Sequence, residues 1–462
     1  MPPTRMLCSA KGCGSSRQSN LVSIILNKAA DAMMSDTECQ STEEMKKEIL
    51  EVNRKIAENI MLDPEYKEKI KKAEIVSLDV KALYPSMKIE EVKKIIIEKL
   101  VKVQEDEKLK INDVDYHEIG KYLSIVCTEE EIKEHELEDA IPKKTANNRG
   151  PKPGPAYWES DYREVYEDGK KKKIAKWIES RNIREKDEQK MIALMLAKAI
   201  EVVMKNHTYR FDGKYYKQRD GGPIGDQLSQ AVARIVMIWF DERYLRKCRE
   251  NEIEMILYKR YVDDINMIVI PPELIEEEED DQNENIDIAE KVGLLCKKLA
   301  DQENEMLIFE EDLGKRYTDG KLPILDLKVW IEKTEEEVKI KHEFYKKPMA
   351  SRYTLREGTA YPKSKLRAVM IEEVMRRLRN CSPEMSWEKK GIFLSELAEE
   401  MMNSGHNETF RKEIMERAIT KYKKELIEHN SGRKDIYRNR EEEARIPKTH
   451  GSAKRILKQQ VF

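Results

Sequence analysis

Met255-Ile256-Leu257-Tyr258-Lys259-Arg260-Tyr261-Val262-Asp263-Asp264-Ile265-Asn266-Met267-Ile268-Val269-Ile270 reads as two apolar strands meeting at a pair of adjacent carboxylates. Short β-branched runs on either side of a polar step form a strand–turn–strand pattern. Asp is a common turn former, so a plain Asp-Asp turn is one explanation of the step. Such a turn does not call for two charges, however, and Asn-Gly or Asp-Gly would suit it better. Like charges side by side repel unless a cation lies between them. Asp263 and Asp264 are therefore candidate metal ligands.

Upstream, Ile75-Val76-Ser77-Leu78-Asp79-Val80 is a second short apolar run, read as a buried strand with Asp79 near its end. An ionised Asp there is unfavourable unless something pairs with it, and a salt bridge, a strand-end cap or a metal would each serve. Brought beside Asp263 and Asp264, it makes a cluster suited to two Mg²⁺ ions about 3.5–4 Å apart, as in-line phosphoryl transfer requires. Between the two strand elements lies Gln218-Arg219-Asp220-Gly221-Gly222-Pro223-Ile224-Gly225-Asp226. Glycines ahead of a helix let backbone approach a ligand closely, and a helix N-terminus attracts anions. A lone loop of this kind is most simply a turn. Asp226 is a good helix N-cap.

Around these elements the sequence predicts a mixed α+β chain. Ser41-Thr42-Glu43-Glu44 forms a capping box for a helix to about residue 60. Helical spacing recurs over about 88–103, 186–205, 226–248 and 363–424, and alternation over 324–331 and 337–345 predicts a β-hairpin. Residues 128–185 are charge-dense and interrupted by Gly150-Pro151-Lys152-Pro153-Gly154-Pro155, which reads as an insertion. Residues 273–290 hold ten acidic side chains and no basic one, a solvated loop.

The chain has 462 residues, 38% of them charged, with a mean hydropathy of −0.75. That excludes a polytopic membrane protein, and no run approaches the ~20 apolar residues of a spanning helix. Nor does the start carry an apolar signal stretch. Seven cysteines without CxxC or zinc spacing read as reduced thiols, so an intracellular place, nuclear or cytoplasmic, is expected. Net charge is −3, but unevenly spread: residues 341–462 carry +10 and the first 340 carry −13. A basic end is a hint of a polyanion partner, although charge runs are often only solvated faces.

The order of Asp79 strand, Gly-rich loop with helix, and Tyr261-Val262-Asp263-Asp264 hairpin resembles the palm of reverse transcriptases, most closely the Penelope-like retroelement branch. Lys321-Leu322-Pro323-Ile324-Leu325-Asp326-Leu327, Phe344-Tyr345-Lys346-Lys347-Pro348 with Arg352-Tyr353, and Tyr361-Pro362 with Lys365 are similar to downstream elements of that branch. The resemblance covers roughly residues 70–425. It implies a right-hand polymerase: partial fingers and an N-terminal helical region over 1–74, a palm with antiparallel sheet and helices over 75–345, a helical thumb over 346–430 and a basic tail over 431–462.

The implied activity is RNA-templated DNA synthesis, the addition of dNTPs to a primer 3′-OH on an RNA–DNA hybrid, with Mg²⁺ or Mn²⁺. Asp79, Asp263 and Asp264 would be the catalytic metal ligands. Tyr84 would be the steric gate against a ribose 2′-OH, unless it is a core tyrosine. Gln218, Gly221, Gly222 and Gly225 would face the nucleotide. Tyr261, Val262, Lys346, Lys347 and Arg352 would contact primer or template, with the 324–345 hairpin as a grip. Lys315 or Lys321 would be the general acid.

Where the branch has Gly-Ser-Pro-Leu, this chain has Gly225-Asp226-Gln227-Leu228, and a carboxylate there must point away from a triphosphate. Neither the upstream fingers segment nor a Gly-Ile-Tyr/Tyr-Ile-Gly nuclease pattern is evident. The alternatives are a catalytically inactive nucleic-acid-binding protein and an RNA-dependent RNA polymerase. The tail at 431–456 reads as a nuclear-localisation or nucleic-acid patch, or as a solvated end.

Overall fold

The computed structural model describes residues 16–33, 36–106, 108–109, 116–141, 162–167, 170–175, 185–273 and 287–432. Most of the 128–185 insertion, the acidic loop beyond Glu273 and the basic tail lie outside these.

The helices run α1 (Ser16–Met33), α2 (Thr42–Leu62), α3 (Tyr66–Lys71), α4 (Leu83–Ser86), α5 (Ile89–Glu105), α6 (Tyr116–Val126), α7 (Glu129–Glu134), α8 (Glu185–Lys205), α9 (Gln227–Glu250), α10 (Ile288–Gln302), α11 (Lys363–Arg379), α12 (Trp387–Asn403) and α13 (Glu408–Gly432). The strands are β1 (Glu74–Val80), β2 (Tyr162–Glu167), β3 (Lys170–Ala175), β4 (Thr208–Phe211), β5 (Lys214–Lys217), β6 (Glu254–Tyr261), β7 (Asp264–Ile270), β8 (Phe309–Leu313), β9 (Leu322–Ile324), β10 (Leu327–Lys333) and β11 (Val338–Phe344). The α+β mixture with antiparallel sheets is as the sequence predicts.

A four-stranded antiparallel sheet, ordered β6-β7-β1-β8, organises the molecule. β7 is covered on both faces, which explains the apolar run Met267-Ile268-Val269-Ile270. Ile265, Met267 and Val269 join a helical core with α1, α5, α8 and α9, whereas Ile268 and Ile270 join a second core with α2 and β9–β11. α9 buries residues around nearly its whole circumference, Leu228, Val232, Ile235, Val236 and Phe240 among them, as a helix enclosed by the core must. Its freedom from Gly and Pro between Gln227 and Glu250 lets it run 24 residues.

Ser41 caps α2 by accepting from the Glu44 N–H at 3.2 Å, and the Glu44 carboxylate accepts from the N–H of Gln40. The 324–331 alternation is not one strand. A two-residue turn at Leu325-Asp326, with Leu325 at φ 55°, folds β9 back onto β10. The expected hairpin, β10 with β11, is present and gains β9 as a third strand. α11, α12 and α13 form a third core around Val374, Leu397, Met401 and Ile414. The described cysteines, Cys39, Cys127, Cys248, Cys296 and Cys381, are buried free thiols. Among the described residues no helix is long and apolar enough to cross a membrane.

Candidate active site

Two neighbouring strands, β1 and β7, and the turn that leads into β7 deliver the three carboxylates. Antiparallel register sets Asp79 of β1 directly opposite Asp264 of β7, and Tyr261 of β6 pairs with Asp264 to close a two-residue turn of Val262 and Asp263. One ligand oxygen from each of Asp79, Asp263 and Asp264 lies within 4.8 Å of the others. Like charges directly opposite on a sheet destabilise it. Burial, then the charges of Asp263 and Asp79, push the Asp264 carboxyl up to about 7, against the opposing pull of Lys347. A divalent cation would relieve that repulsion, and an all-oxygen carboxylate set is the donor chemistry Mg²⁺ and Mn²⁺ prefer. The residues present fit such an ion.

The turn itself is strained. Val262 sits at φ 59°, the only positive φ of its two central residues, as in a type II′ turn, where glycine is the usual occupant. A β-branched residue there is an outlier costing about 1–3 kcal/mol. Tyr261 and Val262 are both exposed, Val262 at 47%.

Tyr84 and the Gly-rich loop belong to one assembly. The N–H of Gly222 donates to the Tyr84 carbonyl at 2.7 Å, and that of Gly221 to the Met87 carbonyl at 3.1 Å. Gly221, at φ 76°, brings its Cα so close that a Cβ would lie 2.6 Å from the Pro85 carbonyl oxygen. These two glycines thus serve backbone-to-backbone docking of the loop onto the 84–87 turn. The half-buried Tyr84 hydroxyl has its pKa raised by burial and, after that, by the charge of Asp263. Gln218 donates its side-chain amide to the Asp220 carbonyl at 3.0 Å.

Asp226 corrects the sequence reading. Its side chain makes no capping bond to α9; it is buried and accepts from the Ser19 hydroxyl at 2.8 and 3.1 Å. A partner 207 residues away outcompetes the local cap. Lys346 is also engaged, with Glu400 at 2.8 Å and the Ser351 carbonyl, whereas Lys347 and Arg352 are exposed. Of the two candidate acids, Lys315 pairs with Asp287 and Glu290, and Lys321 with Glu343.

Sequence reasoning missed Arg260, whose guanidinium donates to the carbonyl of Val262 at 3.0 Å and to Asp241. The available signal was Asp241 itself, a carboxylate set directly after the apolar run Ile235–Phe240, which needs a partner once the helix buries it.

No protein-family model matches the chain, and no curated protein does. Among solved structures, a telomerase from Candida albicans in complex with a TWJ fragment of telomeric RNA overlays at TM-score 0.39 and 11% identity, over 88% of this chain and 52% of that one. Apo telomerase from Candida tropicalis gives 0.33 and 12%, over 88% and 51%. A form of the latter truncated from the C-terminal domain gives 0.30 and 11%, over 69% and 45%. The chain thus spans about half the length of these proteins. Overlays this slight leave the site to be read from its own geometry.

Proposed function

We propose that the chain is a right-hand polymerase of the reverse-transcriptase type, built on palm, partial fingers and helical thumb and most similar to Penelope-like retroelement enzymes. The observation that carries this reading is the convergence of Asp79 and Asp264, on adjacent strands, with Asp263 from the turn beside them. Asp79 and Asp263 would hold two divalent ions, with Asp264 completing the set. Bound there, the metals would supply activation of the primer 3′-OH and charge neutralisation on the departing pyrophosphate.

The chain's own residues do the positioning. The β6–β7 hairpin presents Asp263 from its turn and Asp264 from its strand, and β1 supplies the third. Tyr84, anchored through its backbone to Gly222, would be the residue that limits bulk at a sugar 2′ position. Lys347 offers positive charge at the cluster, and the exposed Arg352 lies farther along the same segment. Asp226, drawn into its bond with Ser19, keeps its carboxylate off the loop surface.

The test is primer extension on a poly(rA)/oligo(dT) hybrid with Mg²⁺ or Mn²⁺, beside Asp263→Asn/Asp264→Asn. Extension lost in the double variant supports the reading. Salt-sensitive hybrid binding without extension would favour a binding protein instead.

A further inference from the structure

Arg260 is 2% exposed and Asp241 fully buried, and their ion pair lies directly beneath the carboxylate turn. The Arg260 Nε donates to both Asp241 oxygens, at 3.1 and 2.9 Å. One terminal nitrogen donates to the Val262 carbonyl at 3.0 Å, and the other reaches Glu38 at 3.4 Å. Asp241 also accepts from Tyr258 at 2.7 Å and Thr37 at 2.9 Å. The Arg260 backbone is clasped as well, its N–H donating to Thr37 and its carbonyl accepting from Cys39, both at 2.8 Å. Glu38 in turn takes a bidentate pair of bonds from Arg234 of α9.

A buried ion pair is a weak source of stability, since apolar residues of like volume often do as well. This one reaches a specific atom, the carbonyl of the strained residue that precedes Asp263. Left alone, a β-branched residue at φ 59° would relax toward ordinary backbone angles and swing the carboxylates apart. Metal sites tolerate only about 0.5 Å of such drift.

We infer that Arg260, locked by Asp241 and by the Thr37-Glu38-Cys39 segment, is the positioning residue that holds the Val262–Asp263 turn in its metal-binding shape. This rests on the two-metal reading above. It assigns to a segment preceding α2 a part in a site far along the chain, and it ties α9, which follows the Gly-rich loop, to the carboxylate turn through one chain of charges.

The experiment is a Mn²⁺ titration of the full chain, reading free Mn²⁺ by electron paramagnetic resonance, with thermal melting in parallel. Arg260→Met/Asp241→Asn removes both charges together, leaves an amide oxygen to accept from Tyr258 and Thr37, and so spares the fold an unpaired buried ion. Arg260→Lys keeps the charge but cannot reach Asp241, Val262 and Glu38 at once. Both variants are expected to melt cooperatively and to bind Mn²⁺ roughly 10–100-fold more weakly than wild type, the usual range for lost support behind metal ligands. Leu397→Ala, which opens a cavity in the third helical core, is expected to lower the melting temperature and leave Mn²⁺ affinity unchanged. Wild-type Mn²⁺ affinity in folded Arg260 variants overturns the positioning role alone. Absence of Mn²⁺ binding by the wild type overturns the two-metal reading and this inference with it.

Discussion

Removing one charge from the carboxylate cluster should strengthen the metal-free fold while removing its metal affinity. In Asp264→Asn the amide keeps the shape of the side chain and loses the repulsion from Asp263 and Asp79. The wild-type carboxyl lies at about 7 in the folded chain, against an ordinary 3.8. Folded protein therefore holds the proton more tightly than unfolded protein, and stability falls as pH rises from 3.8 toward 7. That interval corresponds to roughly 4 kcal/mol. Solvent reaching the half-buried cluster screens this to about 1–2 kcal/mol.

Urea unfolding in EDTA at pH 5 and pH 8 reads the effect. The stability gain of Asp264→Asn over wild type should be larger at pH 8, by about 1 kcal/mol after the same screening. Adding Mg²⁺ or Mn²⁺ at pH 8 should stabilise wild type and leave the variant unmoved. A variant that is less stable than wild type by the same amount at both pH values would refute the reasoning, because the cluster would then hold no stored repulsion.

Two further outcomes follow from the loop and the tyrosine. Gly221→Ala forces a Cβ against the Pro85 carbonyl at a positive φ, so it should destabilise by about 2 kcal/mol or more and reduce expression of folded protein; a melting temperature equal to wild type would remove the docking role. Tyr84→Ala should raise rNTP incorporation relative to dNTP in the primer-extension assay, and unchanged sugar selectivity would return Tyr84 to the core.

Much of the frame was legible because it rests on local pattern. The β6–β7 hairpin, β1, α2, α8 and α9 each announce themselves through apolar spacing and caps, and each begins within a few residues of its expected place. What escaped is what distant contacts decide. Asp226 looks like a cap in sequence and is instead held by Ser19. Leu325 sits in an alternating run, yet adopts φ 55° so that β9 can fold back onto β10. Arg260 reads as an ordinary strand residue until Asp241 and the 37–39 segment close around it. Nor does local pattern show that the N–H groups of Gly221 and Gly222 bond to the 84–87 turn.

The pairing of Ser19 with Asp226, and of Thr37 with Asp241, also bears on how the chain is made. These partners are 207 and 204 residues apart. As the chain leaves the ribosome, α1 emerges with Val22, Leu26, Ala29 and Ala30 bare, and the α9 surface that covers them has yet to be synthesised. At roughly 5–20 residues per second that wait lasts about 10–40 s. Contacts of such long range also close slowly once both halves exist. The N-terminal helix is thus both a late arrival in the native core and an early exposed apolar surface, which makes it the natural place for a chaperone to hold the nascent chain.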